Sequence, residues 1–404
     1  MTRTLRTLLC LSLPFGLAAC GDKVVPVGVV LPLSGEFALY GEPIRTGIEL
    51  AFEELQGQGD YPYTLDLRFA DSQGDGARAA ELLDELYSAG APAVIGGVTT
   101  AEAMAMIEVA DQADRVLLSP SASSPRLTGI STNFFRVFPS DFLEGTKMGH
   151  FATQTLELDR LVIAAAESEY ARGIQQVFAR EVERNGAEVV EVIEYPRNTA
   201  DLGGVIERIV TLASDGVYLA DYADGLITLI QGLEQRGYRG RVLTTSSIAA
   251  PEVVAKAGDA IEGVLFTQSN YDVTSEDPQI HAFVTAYRDK YGRSPDLYAA
   301  HGYDAMRVYA TALAAGGAPR PGNFWQGMRG ITGFPGVTGP IQFDEQGDVQ
   351  KFPRVYIVRG GEFIDFDRVL EERRQGLEER RREIERRMRD LERQRRGLPG
   401  KGGG

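Results

Sequence analysis

Short runs of β-branched and aliphatic residues alternate along the chain with longer stretches in which apolar positions recur every three or four residues. Residues 24–31, 64–70, 93–95 and 115–118 predict strands, each followed by a loop rich in Gly, Ser, Thr or Asp. Between them, 44–55, 76–89 and 101–112 carry the period of amphipathic helices. A second set follows, with strands over 161–165, 188–195, 216–219, 241–244 and 263–266 and helices over 170–185, 202–213, 225–236 and 251–257. Strands separated by helix-length crossovers pair in parallel, because the chain must return to the same edge before it can run in the same direction. The pattern therefore predicts an α/β protein with two doubly wound parallel-sheet lobes.

Two further segments, 278–291 and 298–315, are helical by period and follow the second set of strands. They either enlarge the second lobe or return to the first, and the period alone leaves both routes open. Past Gly316 the chain is rich in Gly and Pro, and the run 339–344 with the strand 354–358 predicts a closing hairpin. The tail 367–396 is almost wholly Glu, Arg, Gln and Leu, with Leu370, Leu377, Ile384, Leu391 and Leu398 seven residues apart. Their four-spaced companions are Arg374, Arg381 and Met388, so the apolar stripe is narrow. It suits a solvated, salt-bridged helix, or a coiled coil that self-associates or docks a partner. Residues 397–404 are Gly-rich and expected to lack a fixed structure.

At 404 residues and 43% hydrophobic content, the chain can build two cores of ordinary size. Its net charge of −15 excludes nucleic acid as a natural partner. Both cysteines, Cys10 and Cys20, fall at the N-terminus, so the body has no thiol for a disulfide, a metal or catalysis. Arg3 and Arg6 precede an apolar stretch over 8–17, too short to span a bilayer, and the run Leu17-Ala18-Ala19-Cys20-Gly21 resembles the lipobox of bacterial lipoproteins. Residues 1–19 thus read as a signal peptide, with Cys20 the lipidated residue and the protein held on the membrane of the cell envelope, periplasmic or extracytoplasmic, by its lipid.

In open parallel sheets ligands bind beyond the carboxyl ends of the strands, where loops and helix starts present N–H groups. The first strand leads into Ser34-Gly35-Glu36 and Tyr40, the third into Gly96-Gly97-Val98-Thr99-Thr100, and the fourth into Ser119-Pro120-Ser121-Ala122-Ser123-Ser124. Hydroxyls in neighbouring loops suit a carboxylate, though any one of them also serves as a helix cap. The histidines His150, His281 and His301 lack metal-ligand spacing, and neither a phosphate loop nor a Gly-x-Ser-x-Gly elbow occurs. The expectation is a binding protein without cofactor, metal or catalytic residue.

The run Gly28-Val29-Val30-Leu31-Pro32-Leu33-Ser34-Gly35, with Tyr40-Gly41, Thr46-Gly47-Ile48-Glu49, Ile95-Gly96-Gly97 and Ser119-Pro120-Ser121-Ala122-Ser123, resembles the leucine/isoleucine/valine-binding protein family. The resemblance covers about residues 24–364. It implies a type I periplasmic binding protein fold with a multi-crossing hinge: lobe one from 24–141 and 271–338, lobe two from 142–270 and 339–366. It implies carboxylate contacts at Thr99, Thr100, Ser121 and Ser123, and lobe-two contacts at Tyr170 and Tyr222. The family acid that meets a ligand ammonium falls near Ser246, where this chain has no carboxylate, leaving Asp221 or Asp224 to supply the charge or a ligand without an amine. The expected role is a solute receptor that binds an amino acid or similar small carboxylate and engages an ABC permease. Two others on the same fold are an interaction lipoprotein, such as an activator of a cell-wall synthase, and a sensor module.

Overall fold

The computed structural model describes residues 24–57, 59–199 and 201–397, with side chains to Glu392. The signal segment, Cys20, Leu398 and the Gly-rich end lie outside the described residues. The first sheet takes its strands from β1 (Val24–Leu31), β2 (Thr64–Asp71), β3 (Ala93–Gly96), β4 (Val116–Ser119) and β5 (Phe134–Arg136), in the order β2-β1-β3-β4-β5. Every pair in it is parallel. Its crossovers contain α1 (Ala38–Gly57), α2 (Gly76–Ser88) and α3 (Thr100–Ala113). β3, β4 and β5 are buried on both faces, as helices on either side require.

The second lobe begins at α4 (Asp141–His150), which a short π-helical turn, Phe151–Thr155, extends. It continues through β6 (Arg160–Ala166), α5 (Glu169–Arg184), β7 (Glu188–Tyr195), α6 (Gly203–Leu212), β8 (Gly216–Ala220), α7 (Ala223–Gln235), β9 (Arg241–Thr244), α8 (Pro251–Ala257) and β10 (Leu265–Gln268). After α9 (Pro278–Tyr291), α10 (Leu297–Gly316), α11 (Pro321–Arg329), β11 (Phe334–Gly336) and β12 (Gly339–Ile341), the chain adds β13 (Arg354–Arg359) and β14 (Glu362–Asp365). The second sheet then runs β14-β13-β10-β9-β8-β6-β7, with β13 and β14 antiparallel.

α9 and α10 return to the first lobe, the route the sequence pattern left open. α10 lies so close to α1 that a Cβ at Gly47 would sit 2.0 Å from the Ala299 carbonyl oxygen, and one at Gly302 2.3 Å from that of Ile44. Only glycine permits that approach. The Tyr309 hydroxyl donates to the Ala93 carbonyl at 3.2 Å, and Tyr287 meets Thr46 at 2.8 Å. The chain thus passes between lobes three times, after β5, after β10 and before β13.

Two expectations need correction. Residues 339–344 do not pair with 354–358: β12 pairs with β11, and β13 pairs with β10 and β14. Residues 339–349 also remain on lobe one rather than joining lobe two. Phe343 packs edge-on against Phe135 at 5.2 Å, Arg136 N–H donates to the Gly347 carbonyl at 3.1 Å, and Asp348 pairs with the buried Arg136. Strand alternation carries no record of which strand is the partner, and here a buried ion pair and an aromatic contact decide it. The sequence pattern also passed over β5, α4 and α11, the first because three residues are too few for a period.

α12 (Phe366–Gly397) leaves from β14. Phe366 packs edge-on against Phe151 at 4.9 Å, and Val369 also rests on the core, but Leu370, Leu377, Ile384, Met388 and Leu391 are exposed.

Candidate functional site

The strand-end loops of both lobes face each other across the hinge. From lobe one come Tyr40 in the first turn of α1, Thr99 and Thr100 at the start of α3, and Ser121 and Ser123 after β4. From lobe two come Tyr170 in the first turn of α5, Tyr222 ahead of α7, and Ser246 after β9. These eight residues line one interlobe cavity, with Val98, Ala122, Phe138, Ser247 and Tyr298. Its volume is about 30 Å³, room for about two waters by a guide of roughly 10–15 Å³ each. The lobes are therefore shut, and a solute of amino-acid size requires them to part.

The ninth expected residue is elsewhere. Asp221 Oδ2 accepts from the Tyr195 hydroxyl at 2.8 Å and Oδ1 from the Tyr222 N–H at 2.7 Å. It lines a second, outer cavity of about 250 Å³ with Glu36, Arg197 and Asp224, on the far side of Tyr40 and Tyr222. Burial pushes its pKa up from 3.8 to about 6, against the hydrogen bond from Tyr195 and the Arg197 charge. A strand-end position places a side chain near the cleft but does not say on which side of a neighbouring ring it lies.

The lobe-one wall is held from within. The Thr99 hydroxyl accepts from the Glu102 N–H at 3.2 Å while Glu102 Oε2 accepts from the Thr99 N–H at 2.9 Å, a reciprocal cap that starts α3. Ser121 donates to the Val98 carbonyl at 2.8 Å. Beneath the loop, Arg136 donates to the Ser124 carbonyl at 2.9 Å and holds Asp348 through both carboxylate oxygens, at 2.6 and 2.7 Å.

Across the cleft the bonds run between lobes. The Tyr40 hydroxyl donates to the Ser247 carbonyl at 3.1 Å and accepts from the Ala223 N–H at 3.0 Å. Tyr298 donates to the Ser246 carbonyl at 3.1 Å. Tyr222 stacks on Tyr170 at 4.9 Å and meets the edge of Phe37 at the same distance, and Tyr40 lies 4.8 Å from Tyr298. Two charged pairs, Arg197 with Glu36 and Arg126 with Glu169, bridge the rim. Burial holds all four tyrosine hydroxyls neutral by raising their pKa values.

Sequence reasoning missed Phe138, Ser247 and Tyr298, and it missed two acids behind the wall. Asp141 Oδ2 accepts from the Ser123 hydroxyl at 2.9 Å, and Oδ1 has no partner. Glu144 Oε2 has only a long 3.4 Å contact from Thr267, and Oε1 has none. Burial pushes Asp141 from 3.8 up to about 7 and raises Glu144 well above its usual range, with the Asp141 charge adding to the rise. Both sit in the first turn of a helix, where acids are common for dipole reasons, so their spacing gave no signal. Among the described residues no group of three His, Cys, Asp or Glu is placed to hold a metal ion.

A family model described as periplasmic binding protein matches residues 24–362. A leucine-, isoleucine-, valine-, threonine- and alanine-binding protein of Pseudomonas aeruginosa is 24% identical over 340 residues, covering 84% of this chain and 90% of its own length. A leucine binding protein from Thermotoga maritima superposes with a TM-score of 0.79 at 26% identity, over 84% of this chain and 97% of that one. A substrate-binding protein of an ABC transporter from Desulfitobacterium hafniense, in complex with Leu, superposes with a TM-score of 0.74 at 26% identity, over 85% of this chain and 100% of that one.

Proposed function

The chain belongs to the periplasmic binding protein family, and on that premise we propose that it is a lipid-anchored receptor that closes on an amino acid or a similar small carboxylate and presents it to an ABC permease. The observation that carries the reading is the inner interlobe cavity, with the Thr99, Thr100, Ser121 and Ser123 hydroxyls on one wall and Tyr170 and Tyr222 on the other. Hydroxyls and helix-start N–H groups bind a carboxylate without a bulky cation, and rings from the opposite lobe cover the remainder. A ligand favours closure only through contacts that differ between the open and shut states, and a cleft divided between two lobes supplies them. The Pseudomonas aeruginosa relative is named for the amino acids it binds and the Desulfitobacterium hafniense structure holds Leu, while a Rhodopseudomonas palustris solute-binding protein of the same fold holds benzoate; a small carboxylate is common to all three.

Titration calorimetry against amino acids and aromatic acids tests the reading. Binding that a Thr99→Ala, Ser121→Ala double variant loses supports it. A folded parent protein that binds none of the panel removes it and favours an interaction lipoprotein on the same fold. Anchoring rests on Cys20, and Cys20→Ser should move the protein to the soluble fraction.

A further inference from the structure

Resting on that pocket reading, we propose that Glu144, with Asp141 beside it, supplies the negative charge for a ligand ammonium group. The resemblance puts the family acid near Ser246, where this chain has only a hydroxyl. The hydroxyl and N–H of Ser246 face the Glu144 carboxyl and lower its pKa against the effect of burial. Ser246 and Ser123 line the cavity, and each stands directly in front of one of the two acids. A serine hydroxyl accepts from an ammonium while donating to a carboxylate, so it can join the two. Glu144 and Asp141 are fully buried, and each keeps one oxygen without a partner. An unpaired buried carboxyl is costly unless something compensates it.

Hydroxyls of Ser123, Ser246 and Thr267 offset part of that cost, and among the described residues no uncommitted cation beside the pair offsets the rest. Arg136, which does lower the Asp141 pKa, is committed to Asp348 and to loop carbonyls. Tyr170, Tyr218 and Tyr298 feel one or both acids and are held neutral by burial. A cation arriving in the cavity displaces the proton that burial otherwise keeps on the pair, so amine binding releases a proton and strengthens as pH rises.

Calorimetry with L-leucine and 4-methylpentanoate, and with L-phenylalanine and 3-phenylpropionate, in buffers of different ionisation enthalpy, decides it. Expected for the parent are proton release with the amino acid alone and, for Glu144→Gln, at least tenfold more affinity lost by the amino acid than by its desamino partner. Absence of proton release overturns the proposal, and so does an equal loss for both ligands, while the pocket reading survives either result. A parent that binds only the desamino acids also overturns it alone. A parent that binds none of the four overturns both.

The charge order of α12 carries a second inference, independent of the pocket. With the apolar stripe at heptad position d, every e position from 371 to 392 is Glu (Glu371, Glu378, Glu385, Glu392) and every g position from 373 to 387 is Arg (Arg373, Arg380, Arg387). In a parallel pair of such helices each g residue faces the e residue five places on in its partner, so Arg380 meets Glu385 and Arg387 meets Glu392. An antiparallel pair would oppose Glu to Glu and Arg to Arg. The stripe is uncovered, with Leu377, Ile384 and Leu391 each 58–61% exposed. Arg374 and Arg381, at a positions, pair with Glu371 and Glu385 of their own helix at 2.6 and 3.1 Å, which offsets part of their charge beside the seam. We infer that the stripe is covered by a second copy of this chain, in a parallel two-stranded coiled coil.

Sedimentation equilibrium of the Cys20→Ser protein should give a dimer. A Glu378→Arg, Glu385→Arg variant and an Arg380→Glu, Arg387→Glu variant should each be monomeric, and their equimolar mixture dimeric. Leu377→Cys should form a disulfide-linked dimer, as matching layers demand. A monomeric parent at tens of micromolar, or a charge-reversed variant that still dimerises alone, overturns the inference. Helix content by circular dichroism separates lost association from lost folding.

Discussion

The two walls of the interlobe cavity are built on opposite plans. On lobe one, Thr99 and Ser121 are bonded within their own lobe, and the loop rests on the buried Arg136–Asp348 pair. On lobe two, Ser246, Ser247 and Ala223 take partners from Tyr298 and Tyr40 on the other side, and Glu144 keeps an unpaired oxygen. The loops that carry Thr99 and Ser121 are therefore braced from within their own lobe, without help from across the cleft. The bonds of Ser246, Ser247 and Ala223 to Tyr40 and Tyr298 exist only when the lobes close, so they contribute to the free energy of closure.

The largest way to break this contrast is Arg136→Ala. It strands Asp348, 6% exposed, without its charge partner, and leaving one member of a buried pair typically costs about 3–5 kcal/mol. Urea denaturation should show that loss, and a change below about 1 kcal/mol would mean the wall is not held by the pair. Replacing Arg136 and Asp348 together by Met and Leu should cost much less, because no charge is then left buried.

Tyr40→Phe keeps the ring and removes the hydroxyl that both donates and accepts across the cleft. Stranding a buried group costs roughly 1–3 kcal/mol, so ligand affinity should fall by about tenfold while the unfolding midpoint of each lobe holds. Small-angle scattering should show a larger radius for the variant. An unchanged radius would show that closure does not depend on this bond.

Smaller effects should follow pH. Asp141 and Asp296 are raised from 3.8 to about 7 and Asp221 to about 6, each chiefly by burial. The folded state thus binds more protons than the unfolded state between about pH 4 and 7, and stability falls as pH rises through that window. Asp141→Asn should flatten the fall, which thermal melts across the range will measure. If the melts of the parent show no fall, the acids are compensated in the shut state. The smallest effect expected is from truncation after Leu370, which keeps Phe366 on Phe151 and Val369 on the core and should leave ligand affinity unchanged.

Much of this was legible along the chain because strand and helix periods are local. The alternation read as two α/β lobes, and eight of the nine residues assigned to the cleft line its cavity, since they follow strand ends and strand ends in a parallel sheet meet at one edge. Asp221 was misplaced because its direction depends on Tyr195 and Tyr222, one of them 26 residues away. Asp141 and Glu144 were overlooked because an acid in a first turn looks the same whether it faces water or a hydroxyl-lined wall.

By itself, then, the sequence determined the two sheets, the loops that could present hydroxyls and the heptad order of charges along α12, all of which depend on neighbours a few positions apart. Tertiary structure alone decided the return of α10 to lobe one, the separation of Asp221 from the inner cavity, the attachment of residues 339–349 to lobe one and the burial of the two acids behind Ser123 and Ser246. Those depend on close approach between segments as much as 258 residues apart, as Gly302 against Ile44 shows, and on how the loss of water changes the cost of a charge. Neither is encoded in any local period.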